Sequence, residues 1–194
     1  IREDQAAEFN LIAGLVLATT VATVIFGGIS RISKVVSRLV PLISLLYVGA
    51  AFYILLLNWS EVPHYLTLIV SDALTGMAAA GGAIGTVIAA GVRRGAFSNE
   101  AGIGTEAMAH GAVRTSEPVS EGLVAMLGPI IDTLVICTAT ALLILMTGAW
   151  QATDASGVTI TSIAFETALP GYGSFLLIVC IFFFSITTIF SYSY

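Results

Sequence analysis

Long, uninterrupted apolar blocks constrain this chain more than any other feature of it. Five of them, at about 10–29, 39–58, 66–92, 122–148 and 174–194, reach the roughly 20 residues that a helix needs to cross the hydrocarbon of a bilayer. Hydrocarbon offers backbone amides no water, so each block must satisfy its own N–H and C=O groups as a helix. The alternating ten-residue pattern of a membrane β-barrel is absent. Charge is also too scarce for a soluble surface: 10% of the 194 residues are charged against 57% hydrophobic, with a mean hydropathy of +0.99. The expected fold class is all-α, a polytopic transmembrane helical bundle, with residues 1–194 forming part of one membrane domain.

The chain opens on Ile1-Arg2-Glu3-Asp4 and closes at Tyr194 inside an apolar run. Neither end reads as a natural terminus, and an internal fragment of a longer multi-pass protein is expected. No basic, apolar and small-residue layout of a signal peptide is present. Cys137 and Cys180 lie inside apolar runs and read as small buried hydrophobes.

Orientation follows from the cations. Of the seven Lys and Arg residues, Arg31, Lys34 and Arg38 fall in the link 29–38, and Arg93, Arg94 and Arg114 in the link 93–121; Arg2 alone lies elsewhere. Both links share one side if every block crosses, and the positive-inside rule makes that side cytoplasmic. The opposite side carries Glu61, Asp154 and Glu166 and the interface aromatics Trp59, Tyr65, Trp150 and Tyr172. In the longer link, Ser98, Asn99 and Glu100 have the pattern of a helix cap. Ser116, Glu117 and Pro118 have that of the next helix start, because proline fits a first turn.

Polar residues inside the blocks are the functional candidates. A carboxylate in hydrocarbon is costly, so Asp72, roughly 9 Å into the third block, needs a reason to be there. Thr75 and Gly76 follow near mid-depth, where a broken helix would present free carbonyls to a cation and a half-helix N-terminus to an anion. The alternative is that the glycines only permit close helix packing. Asp132 lies roughly 15 Å into the fourth block, with Thr133, Cys137 and Thr140 at helical spacing. It either pairs with a neighbouring helix or ligates a cation or proton. Ser185, Thr187 and Thr188 in the last block offer hydroxyls to a cation, although such hydroxyls more often bond their own helix. His64 and His110 have no ligand partners at useful spacing, and no metal cluster, phosphate loop or nucleophile–base pair is visible in the sequence.

Several strings resemble a known family. GVRRGAFSNEAGIGTEAMAHGAV followed by IDTLVICTATALLILMTG is similar to the alanine or glycine:cation symporter family, as are SDALTGMAAAGGAIG upstream and FSITTIFSYSY at the end. The resemblance implies spans four to eight of a LeuT-like fold with two inverted five-helix repeats, located in the cell membrane. It implies sodium as the coupling ion, no organic cofactor, a small amino acid as substrate, and no nucleic-acid partner. By the resemblance, Asp72, Thr75, Gly76, Met77, Thr188 and Tyr192 would touch substrate, and Ser185, Thr187 and Thr188 the sodium ion. Tyr192 stands where the family usually has Trp, which implies a different pocket size. The first span lies outside the chain, so the fragment alone is not expected to transport. Two other classes compete: an intramembrane aspartyl protease built on Asp72 and Asp132, whose Gly-Asp context is missing, and a non-transporting scaffold, disfavoured by the mid-depth polar residues.

Overall fold

The computed structural model describes residues 3–75, 84–100, 102–111, 113–152 and 155–193. Among them all regular structure is helical. The elements are α1 (Glu3–Ile25), α2 (Gly28–Leu57), α3 (Val62–Thr75), α4 (Ile84–Ser98), α5 (Thr105–Gly111) and α6 (Pro118–Ile130). A π-helical segment (Ile131–Cys137) carries α6 directly into α7 (Thr138–Met146); a 3-10 turn (Ala149–Gln151), α8 (Val158–Ala168) and α9 (Gly173–Tyr192) follow. Among the described residues three stretches are long and apolar enough to cross a membrane: Ser30–Leu57, Pro118–Met146 and Gly173–Tyr192. The chain forms two compact units, Ile1–Tyr47 with Phe175–Tyr194, and Val48–Ser174.

In the first unit, α1 turns into α2 through Phe26 and Gly27, and Gly28 adopts a φ of 68° that a side chain would resist. The Arg31 guanidinium donates to the Thr23 carbonyl at 2.9 Å, so a cation satisfies one of the orphan carbonyls at the end of α1. Ile32, Ile186 and Phe190 are buried at the centre of this unit, with Val21, Val24 and Val35 packed against them. Helix α2 corrects one expectation. Residues 29–38, read as a cytoplasmic link, are helical and continuous with the apolar stretch that follows. No Gly or Pro interrupts residues 29–40, and Arg31, Lys34 and Arg38 recur at helical spacing. Their long stems let the charged heads leave an apolar surface without ending the helix.

In the second unit, α3 packs on α7, α7 on α8, and α5 on α6. Leu143, Ala164 and Phe165 are completely buried. Ser98 does not cap a helix start, as its sequence context suggests; it is the last residue of α4. Three left-handed residues, Glu100 (φ 52°), Gly102 (φ 79°) and Gly104 (φ 93°), stop the helix, and α5 starts only at Thr105. Glu100 is the one without glycine's freedom, and the Thr105 hydroxyl donates to its carboxylate. Pro118 does open α6, directly after Glu117.

The turn from α8 into α9 is tight. The Glu166 carboxylate accepts the Gly171 amide at 2.7 Å and the Ser174 amide at 2.9 Å, taking up a free N–H of the first turn of α9. These two amide donors hold the Glu166 carboxyl below the usual carboxylate range. A Cβ on Gly173 would lie 2.0 Å from the Phe165 carbonyl oxygen, so only glycine lets the two helices approach this closely.

Candidate functional site

The candidates named from the sequence fall on both units. In the second unit, Asp72 is exposed on α3, one turn before its end at Thr75. The hydroxyls of Thr67 and Ser71 donate back to Pro63 and Leu68 carbonyls at 2.8 and 3.0 Å. The Thr75 side chain, Gly76 and Met77 lie outside the described residues, as does the expected helix break at Thr75–Gly76.

In the first unit, α9 carries the hydroxyl cluster. Thr187 is buried, and its hydroxyl donates to the Phe183 and Phe184 carbonyls, both at 3.0 Å; that of Thr188 donates to Phe184 at 2.8 Å. Both hydroxyls are thus bonded to their own helix, the ordinary arrangement for such residues in a span. The three candidate hydroxyls do not share one environment: Ser185 and Thr188 are exposed, while Thr187 is not. Ser185, Thr188 and Tyr192 recur at spacings of three and four and form one stripe along α9. Tyr47 meets Phe184 edge-on, ring centres 6.3 Å apart. A cavity of about 740 Å³ in this unit is lined by Leu17, Val24, Val35, Phe182 and Phe190 among others. Among the described residues Thr20 is the one polar side chain on its wall, and its hydroxyl donates to the Val16 carbonyl at 2.8 Å.

The arrangement that sequence reasoning missed joins the end of α4 to the π segment. The Ser98 hydroxyl donates to the Asp132 carboxylate. Next to it, the Asn99 side-chain amide lies 3.2 Å from the Thr133 hydroxyl. Asp132 therefore has the neighbouring-element partner that was one of its two readings. The π register shows in Thr138, whose hydroxyl reaches the Thr133 carbonyl five residues back at 3.2 Å. Farther along, His110 at the end of α5 lies 2.7 Å from the Glu121 carboxylate in the first turn of α6. The signal available in the sequence was the polar run Ser98-Asn99-Glu100 itself, which needs partners if it folds back between spans.

Known proteins agree with the strings that first suggested a family. The sequence profile of the sodium:alanine symporter family matches residues 2–194. Among relatives, a sodium/alanine symporter of Methanococcus maripaludis is 37% identical over 187 residues, 95% of this chain and 41% of that protein. A probable sodium/glutamine symporter of Bacillus subtilis is 40% identical over 175 residues, 90% of this chain and 37% of that protein. A sodium/proton-dependent alanine carrier of Bacillus sp. PS3 is 34% identical over 199 residues, 95% and 45% of the two chains. The chain thus spans about two fifths of the length of the relatives it matches. With its apolar helices and its matched length, the chain belongs to the sodium:alanine symporter family, a family of integral membrane transporters and not of enzymes.

Proposed function

We propose that this chain is the part of a secondary active transporter that couples sodium entry to uptake of a small amino acid, alanine or glycine, across the cytoplasmic membrane. The observation that carries the reading is the family match, which runs over residues 2–194 and not over an isolated motif. The fold in which it would act is a LeuT-like inverted repeat, with the chain supplying five of the spans. Asp72 would meet the substrate ammonium or its coupled cation, with Thr75, Gly76 and Met77 close by. Thr188 and Tyr192 would line the pocket from α9, and Ser185, Thr187 and Thr188 would offer hydroxyl oxygens to sodium.

A larger substrate is the second reading. Tyr192 is smaller than the Trp expected there, and one relative is named a probable sodium/glutamine symporter. Uptake of labelled alanine, glycine and glutamine by the complete protein, with and without sodium, separates the readings. Asp72→Asn is expected to weaken substrate binding roughly tenfold to a hundredfold, the value of a lost charge-assisted hydrogen bond of about 1.5–3 kcal/mol. Sodium-independent uptake would refute the symport reading. Unchanged binding in a folded Asp72→Asn protein would remove Asp72 from the site.

A further inference from the structure

Asp132 stands midway along the 29-residue apolar stretch Pro118–Met146. A carboxylate inside an apolar stretch is costly, and such a residue is a functional candidate by default. Its partners among the described residues are two neutral donors, the Ser98 hydroxyl and the Cys137 thiol at 4.0 Å. No lysine, arginine or histidine among the described residues pairs with it. Beside the Ser98–Asp132 hydrogen bond, the next residues of the two elements, Asn99 and Thr133, are hydrogen-bonded to each other through their side chains, so hydroxyl, amide and carboxylate oxygens occur on adjoining positions. Hydroxyl, amide and carboxylate oxygens are the ligands of a hard cation. The π register beneath Asp132 and Thr133 is an irregularity frequently found at functional positions.

We infer that Asp132, with Ser98, Asn99 and Thr133, forms a second monovalent-cation site that takes sodium, separate from the hydroxyls of α9. The carboxylate supplies the neutralising charge and the three neighbouring oxygens replace hydration water. Bound sodium would also tie the end of α4 to the middle of the span, because its ligands come from both elements. This rests on the sodium-coupled reading above.

The test is radioactive sodium binding to the purified complete protein without substrate, with choline replacing sodium as the control. Asp132→Asn is expected to lose one sodium per transporter or to weaken its binding at least about tenfold, as fits the loss of a charge-assisted contact. Ser98→Ala and Thr133→Val, which keep the carboxylate, should weaken the same component a few-fold. Unchanged sodium stoichiometry and affinity in Asp132→Asn overturns the site. If Asp132→Asn does not fold, wild-type sodium binding in both of the other variants overturns it. A change only in pH dependence, with sodium binding intact, means that Asp132 carries a proton and also overturns it. Wild-type protein that takes up amino acid without sodium sinks the symport reading instead, so the two failures are distinguishable.

Discussion

Ser98 and Asp132 are 34 residues apart, and the hydroxyl of the first donates to the carboxylate of the second; Asn99 and Thr133, also 34 apart, form the next pair. The last residue of α4 and the one after it thus bond to two consecutive residues of the π segment. A double-mutant cycle on Asn99→Ala and Thr133→Val should give a coupling of about 0.6–1.7 kcal/mol, the range found for hydrogen bonds between membrane helices. Thermal unfolding of the complete protein in detergent reads it. Additive effects of the two substitutions would mean that the second pair contributes no interaction.

Gly173 has its own prediction. Its missing Cβ would sit 2.0 Å from the Phe165 carbonyl oxygen, 2.3 Å from that carbonyl carbon and 2.7 Å from the Glu166 amide nitrogen. All three are backbone atoms, which cannot swing aside as a side chain can. Gly173→Ala should therefore cost about 1–3 kcal/mol, as overpacking does. A melting temperature equal to wild type would show that the α8–α9 turn relaxes freely.

Glu166 makes the same turn pH-dependent. Hydrogen bonds from Ser174 and Gly171 favour its charged form in the folded state and lower its pKa. A depressed pKa adds stability that is fully present above the unfolded value, about 4.3 for a glutamate, and that is lost as pH falls through the lower folded value. Glu166→Gln should accordingly be less stable than wild type at pH 7, and the difference should shrink below about pH 4. A difference that stays constant from pH 7 to pH 3 would exclude the carboxylate as its source.

Orientation can be read with thiol labels. Single cysteines at Val113 and Ser156, both exposed, would be placed in a protein whose Cys137 and Cys180 are replaced by Ala. The cation distribution predicts that residue 113 faces the cytoplasm and residue 156 the outside. An impermeant reagent should label only position 156 in intact cells. The opposite pattern would invert the topology.

Features governed by local chemistry were legible in the sequence. Pro118 opens α6 as its ring geometry dictates, and the long apolar stretches are helices because nothing else satisfies their backbone. The start of α2 was not legible, because Arg31, Lys34 and Arg38 read as link residues until the helix is seen to carry them on its surface. Ser98 was assigned to the wrong end of a helix for a related reason. A serine can cap a start, but here the left-handed conformations of Glu100, Gly102 and Gly104 decide where helix is possible. Of the candidate site, Asp72, Thr187 and Thr188 were found as isolated residues with unusual depth or clustering. The Ser98–Asp132 pair is not legible because the polar run at 98–100 says that a partner is needed, while a 34-residue separation leaves no local sign of which residue it is.

The π segment also limits how this helix tolerates changes in length. An i→i+5 bond encloses one residue more than an i→i+4 bond, so the stretch Ile131–Cys137 behaves as an α-helix with an insertion already absorbed. Deleting a single residue within it would let the segment close as plain α-helix and leave the buried faces of Ala139, Leu142 and Leu143 where they are. The same deletion elsewhere between Pro118 and Met146 would turn everything beyond it by about 100°. The span can therefore shed a residue most cheaply within this segment, and the side chains re-aimed by doing so belong to the stretch that carries Asp132 and Thr133.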